Sequence, residues 1–211
     1  MTNCSLADLQ KTLTPHVRLG KTRLETLCLL VLGMISARTV NLTHIAAERS
    51  APARVASTYR RLQRFFQQVL LPEDWCVGIV LGLIGNPKRW YLCMDRTNWK
   101  IGKSDVNILV LAAVTERYRV PLMWTFLGHS GNSTTKQRIA LMQRYLALFD
   151  ASSVRMFLAD REFIGQEWFK YLKDNSIPFA IRVKEEQLVV VEGREYSLRT
   201  YLRRCKGARV L

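Results

Sequence analysis

The run Trp90-Tyr91-Leu92-Cys93-Met94-Asp95 is short, mostly apolar and closed by an acid, and it decides the fold. Such a run shortly after Gly85-Asn86-Pro87 predicts a buried strand. A second apolar run, Val154 to Ala159, is also followed by an acid, Asp160. Functional groups collect at strand ends in open α/β sheets. The sequence therefore predicts two neighbouring strands that present Asp95 and Asp160 to one crevice.

The segments around these two runs predict a mixed sheet. Residues 106–115 and 120–127 have the composition of a second and a third strand, and residues 179–183 of a fifth. Helical segments separate the third, fourth and fifth strands. Three meandering strands followed by helix, strand, helix and strand make an α/β layer with mixed strand directions. A hairpin turning at Glu192-Gly193 and a short basic helix over 198–204 are expected after this layer.

The N-terminal part is predicted to be helical, because it lacks alternation and has apolar residues three and four apart. Asn41 is expected to cap a short helix that ends at Glu48, and a longer helix is expected from about 54 to 70. The inward face of that longer helix is predicted to carry Val55, Tyr59, Leu62, Phe66 and Val69. The expected organisation is a helical region over 1–85, an α/β core over 86–184 and the start of a β-rich segment over 185–211.

The composition points to a folded protein with a polyanionic partner. The chain has 32 Lys and Arg against 17 Asp and Glu, a net charge of +15, and 48% of its residues are hydrophobic. Disordered, collagen-like and coiled-coil chains are excluded by these values. A surplus of positive charge this large usually means nucleic acid. A basic surface that serves solubility alone is the alternative.

Several other protein classes find no support in the sequence. Five widely spaced cysteines without a CxxC motif give no support to a zinc ribbon or a disulfide framework, and they fit a reducing cytoplasm. The apolar stretches at 27–35 and 75–85 are shorter than the roughly 18–20 residues that span a bilayer, so we expect no membrane association. No GxxxxGK[ST] motif is present to indicate an ATPase.

Two aspartates at one sheet edge predict a site for a divalent cation. Carboxylates are hard oxygen ligands of the kind that Mg²⁺ or Mn²⁺ prefers. Two such ions about 3.5–4 Å apart activate a water or a 3′-hydroxyl and stabilise the leaving oxygen of a phosphodiester. The alternative is that Asp95 and Asp160 only end strands and form turns.

Two motifs surround these acids: Met94-Asp95-Arg96-Thr97-Asn98-Trp99, and Leu158-Ala159-Asp160-Arg161-Glu162-Phe163-Ile164-Gly165. Together they resemble the first and second aspartate motifs of DDE transposases of bacterial insertion sequences. These are cut-and-paste enzymes with a ribonuclease-H-like core. The resemblance extends over residues 90–195 and includes the order of the predicted elements.

The resemblance implies DNA cleavage at element ends and 3′-hydroxyl attack on target DNA, with Mg²⁺ or Mn²⁺ held by Asp95 and Asp160. The family's third acid is a glutamate in a helix with a Tyr, Arg, Glu, Lys pattern, and the sequence has no such pattern before Leu211. Glu162 and Glu167 are acids nearby, but neither has the family's position. We therefore expect that this chain does not complete the reaction alone.

Candidate DNA contacts fall into two groups. The first is the basic face of the longer N-terminal helix, a candidate second helix of a helix-turn-helix; residues 1–71 contain ten Lys and Arg against three Asp and Glu. The second follows the two acids. The candidates are Arg54, Arg60, Arg61 and Arg64 in the first group and Trp99, Lys100, Lys103 and Arg161 in the second. A solvated basic helix, a core position for Trp99 and a surface salt bridge for Arg161 are the respective alternatives.

The sequence thus predicts a nucleoid-associated cytoplasmic transposase that is incomplete without the third acid. Its expected partners are double-stranded DNA at terminal repeats and target sites, and either a homodimer partner or a separate C-terminal fragment. The first rival is a non-catalytic DNA-binding relic of such a transposase, and the second is a stand-alone nuclease with the same core. Metal-dependent DNA cleavage would distinguish the transposase and the nuclease from the non-catalytic relic.

Overall fold

The computed structural model describes residues 5–49, 54–85 and 88–204, and the chain divides into two units, 1–85 and 86–211. The helices are α1 (Leu6–Leu13), α2 (Lys21–Ala37), α3 (Leu42–Ala47), α4 (Val55–Gln68), α5 (Val77–Leu83), α6 (Thr135–Leu148), α7 (Gln166–Asp174) and α8 (Leu198–Arg204). The strands are β1 (Trp90–Ile101), β2 (Ser104–Val114), β3 (Arg119–Phe126), β4 (Val154–Ala159), β5 (Phe179–Ile181), β6 (Leu188–Val191) and β7 (Arg194–Ser197).

The N-terminal unit is built on close packing of α2, α3 and α4. Buried Leu30 of α2, Ile45 of α3 and Leu62 of α4 belong to one apolar cluster. A Cβ added at Gly33 of α2 would lie 2.6 Å from Ile45 Cγ2, so only glycine permits this approach of α2 to α3. The predicted cap of α3 is present, since Asn41 Oδ1 accepts a hydrogen bond of 2.9 Å from the Thr43 amide.

The inward face of α4 agrees with the predicted stripe in part, since Leu62 is buried and Tyr59 and Val69 pack against buried apolar clusters. Thr58, Leu62 and Phe65 are buried, whereas Val55 and Phe66 are 46% and 60% exposed. The buried residues follow one another at steps of four and three, so they form a single helical stripe that is rotated from the predicted one. The rotation arises because Thr58, a polar residue that periodicity of apolar residues overlooks, packs inward.

The second unit contains a five-stranded mixed sheet in the order β3-β2-β1-β4-β5. β1, β2 and β3 form an antiparallel meander, and β4 and β5 run parallel to β1. α6 connects β3 to β4 and α7 connects β4 to β5. The predicted fold class is confirmed at the level of its architecture, a mixed α/β sheet preceded by an all-helical region.

β1 is longer than predicted. It continues past Asp95 to Ile101 and pairs along its whole outer half with β2, down to Ile101 opposite Ser104. Gly102, with φ of +62°, makes the tight connection between the two strands. Asp95 therefore lies within a strand of the meander, although it lies just past the end of the pairing with β4.

Helix α6 packs on the meander through aromatic and aliphatic side chains. Trp90 of β1 meets Tyr145 and Phe149 edge-on, at ring-centroid distances of 6.5 and 5.5 Å. Leu92, Met94 and Phe157 are buried on the strands, as are Leu141 and Met142 on α6. The ends of β1 and β4 are thereby fixed by a close-packed layer on one side.

The expected hairpin is present as β6 and β7, with Glu192 and Gly193 both at positive φ in its turn. α8 follows it over the predicted residues, and Leu198 donates a backbone hydrogen bond of 2.8 Å to the Gln187 carbonyl. The last part of the expected β-rich segment, residues 205–211, lies outside the described residues.

Candidate active site

Asp95 and Asp160 occupy matching positions on neighbouring parallel strands. The last registered pair of β1 and β4 is Met94 opposite Ala159, and both aspartates are the next residues along. Neighbouring strands are about 4.8 Å apart, so the two side chains start from closely spaced backbones. Because side chains alternate along strands, both point away from the face that buries Met94 and Ala159.

The two carboxylates have the same local geometry. Asp95 Oδ1 accepts the backbone amide of Arg96, and Asp160 Oδ1 accepts that of Arg161, both at 2.8 Å. Each bond closes a short loop between a side chain and the next peptide, which restricts the rotation of the carboxylate. The contacts described for both aspartates fall on Oδ1, so Oδ2 is the oxygen left for a ligand.

Both aspartates line one cleft of about 510 Å³ at the sheet edge. Its lining includes apolar strand residues such as Leu158 and Ile181. Cys93 also faces the cleft, and burial raises the pKa of its thiol above the ordinary value. Cys93 is therefore a weaker acid than an exposed cysteine, and Asp95 and Asp160 are the two acidic residues in the lining of this cleft.

Arg119 and Arg182 line the same cleft, and the sequence interpretation missed both of them. Arg182 Nη1 lies 3.6 Å from Asp160 Oδ1, and the side chains of Arg182 and Asp160 are largely exposed. An exposed pair of this kind contributes about 0–1 kcal/mol, so a ligand displaces it readily. The signal was present in the sequence: Arg182 follows β5 directly, as Asp160 follows β4.

The donor set fits a divalent cation in part. Mg²⁺ is commonly held by one or two carboxylates and keeps several waters, and Asp95 and Asp160 supply that number. Within 5–49, 54–85 and 88–204, no group of three or more His, Cys, Asp or Glu residues is arranged to hold a metal. Glu162 forms an ion pair with Arg96 at 3.2 Å, and Glu167 is exposed in the first turn of α7.

The predicted DNA contacts after the two acids lie outside the cleft lining. Trp99 is on the same face of β1 as Asp95 but four residues away, about 13 Å along the strand. It is 62% exposed, which excludes a core position, and its indole N–H donates to Thr97 Oγ1. Lys100 and Lys103 are exposed near the tip of the β1–β2 hairpin. Arg161 is exposed beside Asp160, which it contacts through its backbone amide.

The four predicted arginines of the N-terminal unit divide into two kinds. Arg54, Arg60 and Arg64 are exposed at the start or on the surface of α4. Arg61 is instead directed at α2: its Nε donates to Thr26 Oγ1 at 2.7 Å and its Nη2 to the Thr22 carbonyl at 2.9 Å. Arg61 also pairs with Glu25 at 3.2 Å, so its guanidinium holds two helices together.

Comparisons with known proteins give partial likenesses. The magnesium-bound catalytic core domain of HTLV-2 integrase, in its dimeric form, is 14% identical with a TM-score of 0.35, over 45% of this chain and 61% of that chain. An intasome of simian T-cell lymphotropic virus with PP2A regulatory subunit B56 gamma is 13% identical with a TM-score of 0.37. The match covers 47% of this chain and 33% of that chain. The chain thus spans less than two thirds of either protein. No family model and no curated protein sequence matches it.

The helices of the two units are short. Among the described residues, none is both long enough and apolar enough to cross a lipid bilayer.

Proposed function

We propose that the chain is the core of a DDE DNA transposase of a bacterial insertion sequence, which cuts DNA at element ends and joins it to target DNA. The register of β1 and β4 carries the proposal, because it sets the aspartates of both motifs in one cleft. The motifs around Asp95 and Asp160 support the same interpretation, since they resemble those that hold the acids of such transposases.

Asp95 and Asp160 would hold Mg²⁺ or Mn²⁺ through their outer oxygens, with the amides of Arg96 and Arg161 keeping each carboxylate oriented. The bound ion supplies activation of a water or 3′-hydroxyl and stabilisation of the leaving oxygen. Arg182 and Arg119 supply positive charge for phosphate oxygens at the same cleft. Asp160 would exchange Arg182 for the metal as the DNA enters.

The N-terminal unit would hold the duplex. α3 and α4 pack through Ile45 and Leu62, and the exposed surface of α4 carries Arg60 and Arg64. A second helix with exposed basic residues is the part of a helix-turn-helix that enters a major groove. The net charge of +15 favours phosphate contacts in both units.

A non-catalytic DNA-binding protein is the second candidate. The observation that favours it is the lack of a third metal-holding acid near Asp95 and Asp160 within the described residues. With two aspartates, a second ion would be poorly held, because Mg²⁺ demands near-octahedral coordination. This candidate keeps the DNA contacts and gives up strand cleavage.

A strand-cleavage assay separates the two. The full chain, alone and extended by a C-terminal segment that carries the family's glutamate, is incubated with supercoiled plasmid and Mg²⁺ or Mn²⁺. The transposase proposal expects cleavage by the extended chain and its loss in Asp95→Asn and Asp160→Asn, with Glu185→Gln as the control of equal charge change. Plasmid binding without cleavage by either form would support the non-catalytic candidate instead.

A further inference from the structure

The segments that carry the two aspartates are joined by an ion pair on the other face of the sheet. Arg96 alternates with Asp95 along β1, so its side chain points to the opposite side. Its Nη2 lies 3.2 Å from Glu162 Oε2 and its Nε 3.4 Å from the same oxygen. Arg96 and Glu162 are 19% and 22% exposed, so water screens their attraction less than that of a surface pair.

Arg96 is itself fixed by two asparagines. Its Nη1 donates to Asn107 Oδ1 at 3.3 Å, and its Nη2 reaches Asn132 Oδ1 at 3.5 Å. Asn107 is buried on β2 and donates to the carbonyls of His129 and Gly131 at 2.9 and 2.8 Å. The guanidinium is therefore held in one orientation by β2 and by the loop that precedes α6.

Arg138 of α6 holds the segment of Glu162 from the helix side. This buried arginine donates from Nη2 to the Glu162 carbonyl at 2.9 Å and from Nε to Ser133 Oγ at 2.9 Å. Its guanidinium also lies 5.1 Å from the centre of the Phe163 ring, which is buried. The turn that follows Asp160 is thus anchored to α6 in a way that leaves the Glu162 side chain directed at Arg96.

The pairing of β1 with β4 ends one residue before the aspartates, at Met94 and Ala159. Beyond that pair, the described parts of the two strands have no further registered pair. Arg96 follows Asp95 by one residue, and Glu162 follows Asp160 by two. The ion pair between Arg96 and Glu162 therefore connects the two segments just beyond the aspartates.

We propose that Arg96 and Glu162 form a clamp of positioning residues that sets the placement of Asp95 relative to Asp160. Each side chain acts through the aspartate that precedes it on its own segment, from the face of the sheet opposite the carboxylates. The inference rests on the proposed function for what the aspartates hold, but the clamp itself is a property of the metal-free chain. It also assigns Glu162 a role other than that of a third metal ligand.

Hydrogen exchange tests the clamp without any metal, because a backbone amide on one segment can be measured in a variant of the other segment. Exchange of the Arg161 amide, which donates to Asp160, is measured by NMR on the full chain carrying Arg96→Lys, and that of the Arg96 amide on the chain carrying Glu162→Gln. We expect each amide to exchange roughly fivefold faster, the equivalent of one ordinary hydrogen bond. Glu185→Gln is the control, since it breaks the exposed pair of Glu185 with Arg199 and changes the charge equally.

The charge-reversed double variant, Arg96→Glu with Glu162→Arg, distinguishes a clamp from general loosening. We expect it to recover part of the protection that Arg96→Glu alone loses at the Arg161 amide. Wild-type exchange in Arg96→Lys and Glu162→Gln, or losses in the double variant equal to the sum of its single variants, would overturn the clamp. Arg96→Lys retains the charge, so it keeps the test interpretable if the reversed variants fail to fold.

Titration with Mn²⁺ alone then connects the clamp to the site. Paramagnetic broadening around Asp95 and Asp160 gives the affinity, and we expect about tenfold weaker binding in Arg96→Lys and Glu162→Gln, as is typical when an outer partner of a ligand is removed. Equal affinity in all variants would contradict the role of the clamp in metal binding. If the wild type shows no broadening that Asp95→Asn abolishes, the proposed metal site fails, whereas the exchange result on the clamp stands.

Discussion

Arg61 Nε donates a hydrogen bond of 2.7 Å to Thr26 Oγ1, and this contact places Arg61 among the residues that build the N-terminal unit. Thr26 is buried on α2 and its hydroxyl also donates to the Thr22 carbonyl at 2.7 Å. Arg61 closes the arrangement by binding that carbonyl and Glu25, and it thereby lowers the pKa of the Glu25 carboxyl. Arg60 and Arg64, its neighbours on α4, are exposed and free of this structural task.

Replacing Arg61 with Ala should destabilise the N-terminal unit. The change removes the hydrogen bonds of Arg61 to the Thr26 hydroxyl and the Thr22 carbonyl and its ion pair with Glu25, a combined loss of about 1–3 kcal/mol. Urea unfolding followed by circular dichroism measures the loss. Arg60→Ala is the matched control on the same helix, and we expect it to stay within about 0.5 kcal/mol of the wild type. Equal stability of the two variants would contradict the structural assignment of Arg61.

Replacing Arg60 and Arg64 with Ala should weaken duplex binding and its dependence on salt. Removing one phosphate interaction reduces the slope of log K against log salt by about 0.9. Fluorescence anisotropy of a labelled duplex, at several salt concentrations, gives both affinity and slope. Arg117→Ala together with Arg155→Ala, which removes the same charge from the other unit, controls for net charge. A slope unchanged by Arg60→Ala with Arg64→Ala would show that α4 does not contact the phosphates.

The placement of Asp95 and Asp160 could be predicted because it depends on local patterns. Each acid ends a short apolar run, and such runs become adjacent buried strands in a sheet of this connectivity. The extension of β1 to Ile101 was not predictable in the same way. The residues from Arg96 to Lys100 are mostly polar, and their strand conformation comes from pairing with β2 across the turn at Gly102.

The buried hydrogen bonds of Arg138 to Ser133 and Glu162 could not be predicted from the sequence either. Arg138 follows Gln137 in an amphipathic helix and has the sequence context of a surface residue, yet it is buried against Ser133 and Glu162. Its partners are loop carbonyls whose positions depend on the whole chain path. Hydrophobic periodicity predicts which face of a helix or strand is apolar. It does not predict which backbone carbonyl, distant in the sequence, will accept a hydrogen bond from a given side chain.

Replacing Gly33 with Ala should destabilise the N-terminal unit, although alanine is the better helix former by about 1 kcal/mol. The new methyl would meet Ile45 Cγ2 at 2.6 Å and the Ile45 carbonyl oxygen at 3.3 Å. Overpacking against a buried, β-branched side chain typically costs about 1–3 kcal/mol, so the clash outweighs the propensity gain. The free energy of unfolding measures the net effect.

Gly82 of α5 is the matched control for this substitution. A Cβ added there meets nothing within 4 Å, so Gly82→Ala should retain the gain in helix propensity without a clash. Opposite signs for the two variants are the expected result. Stabilisation by both would mean that α2 and α3 are not in close contact at Gly33.

Tyr145 should make the stability of the second unit fall in alkaline solution. Its ring is buried against Trp90 and Phe149, its hydroxyl shares a hydrogen bond of 2.7 Å with Ser153, and burial raises the pKa of Tyr145 to about 12. An unfolded tyrosine has a pKa of about 10. Between these values the unfolded chain loses the phenolic proton while the folded chain keeps it, so the free energy of unfolding decreases as pH rises.

The Tyr145→Phe variant isolates this contribution. At pH 8 it should be less stable than the wild type by about 1 kcal/mol, because it lacks the hydrogen bond to Ser153. From about pH 10 to 12 the wild type should lose up to about 1.4 kcal/mol per pH unit more than the variant, so the difference narrows and then reverses. Urea unfolding at pH 8, 10 and 11 measures the difference in free energy of unfolding between the wild type and Tyr145→Phe. Tyr118→Phe, at an exposed position, is the control. A difference between wild type and Tyr145→Phe that is constant with pH would show that the phenol ionises equally in the folded and unfolded chains.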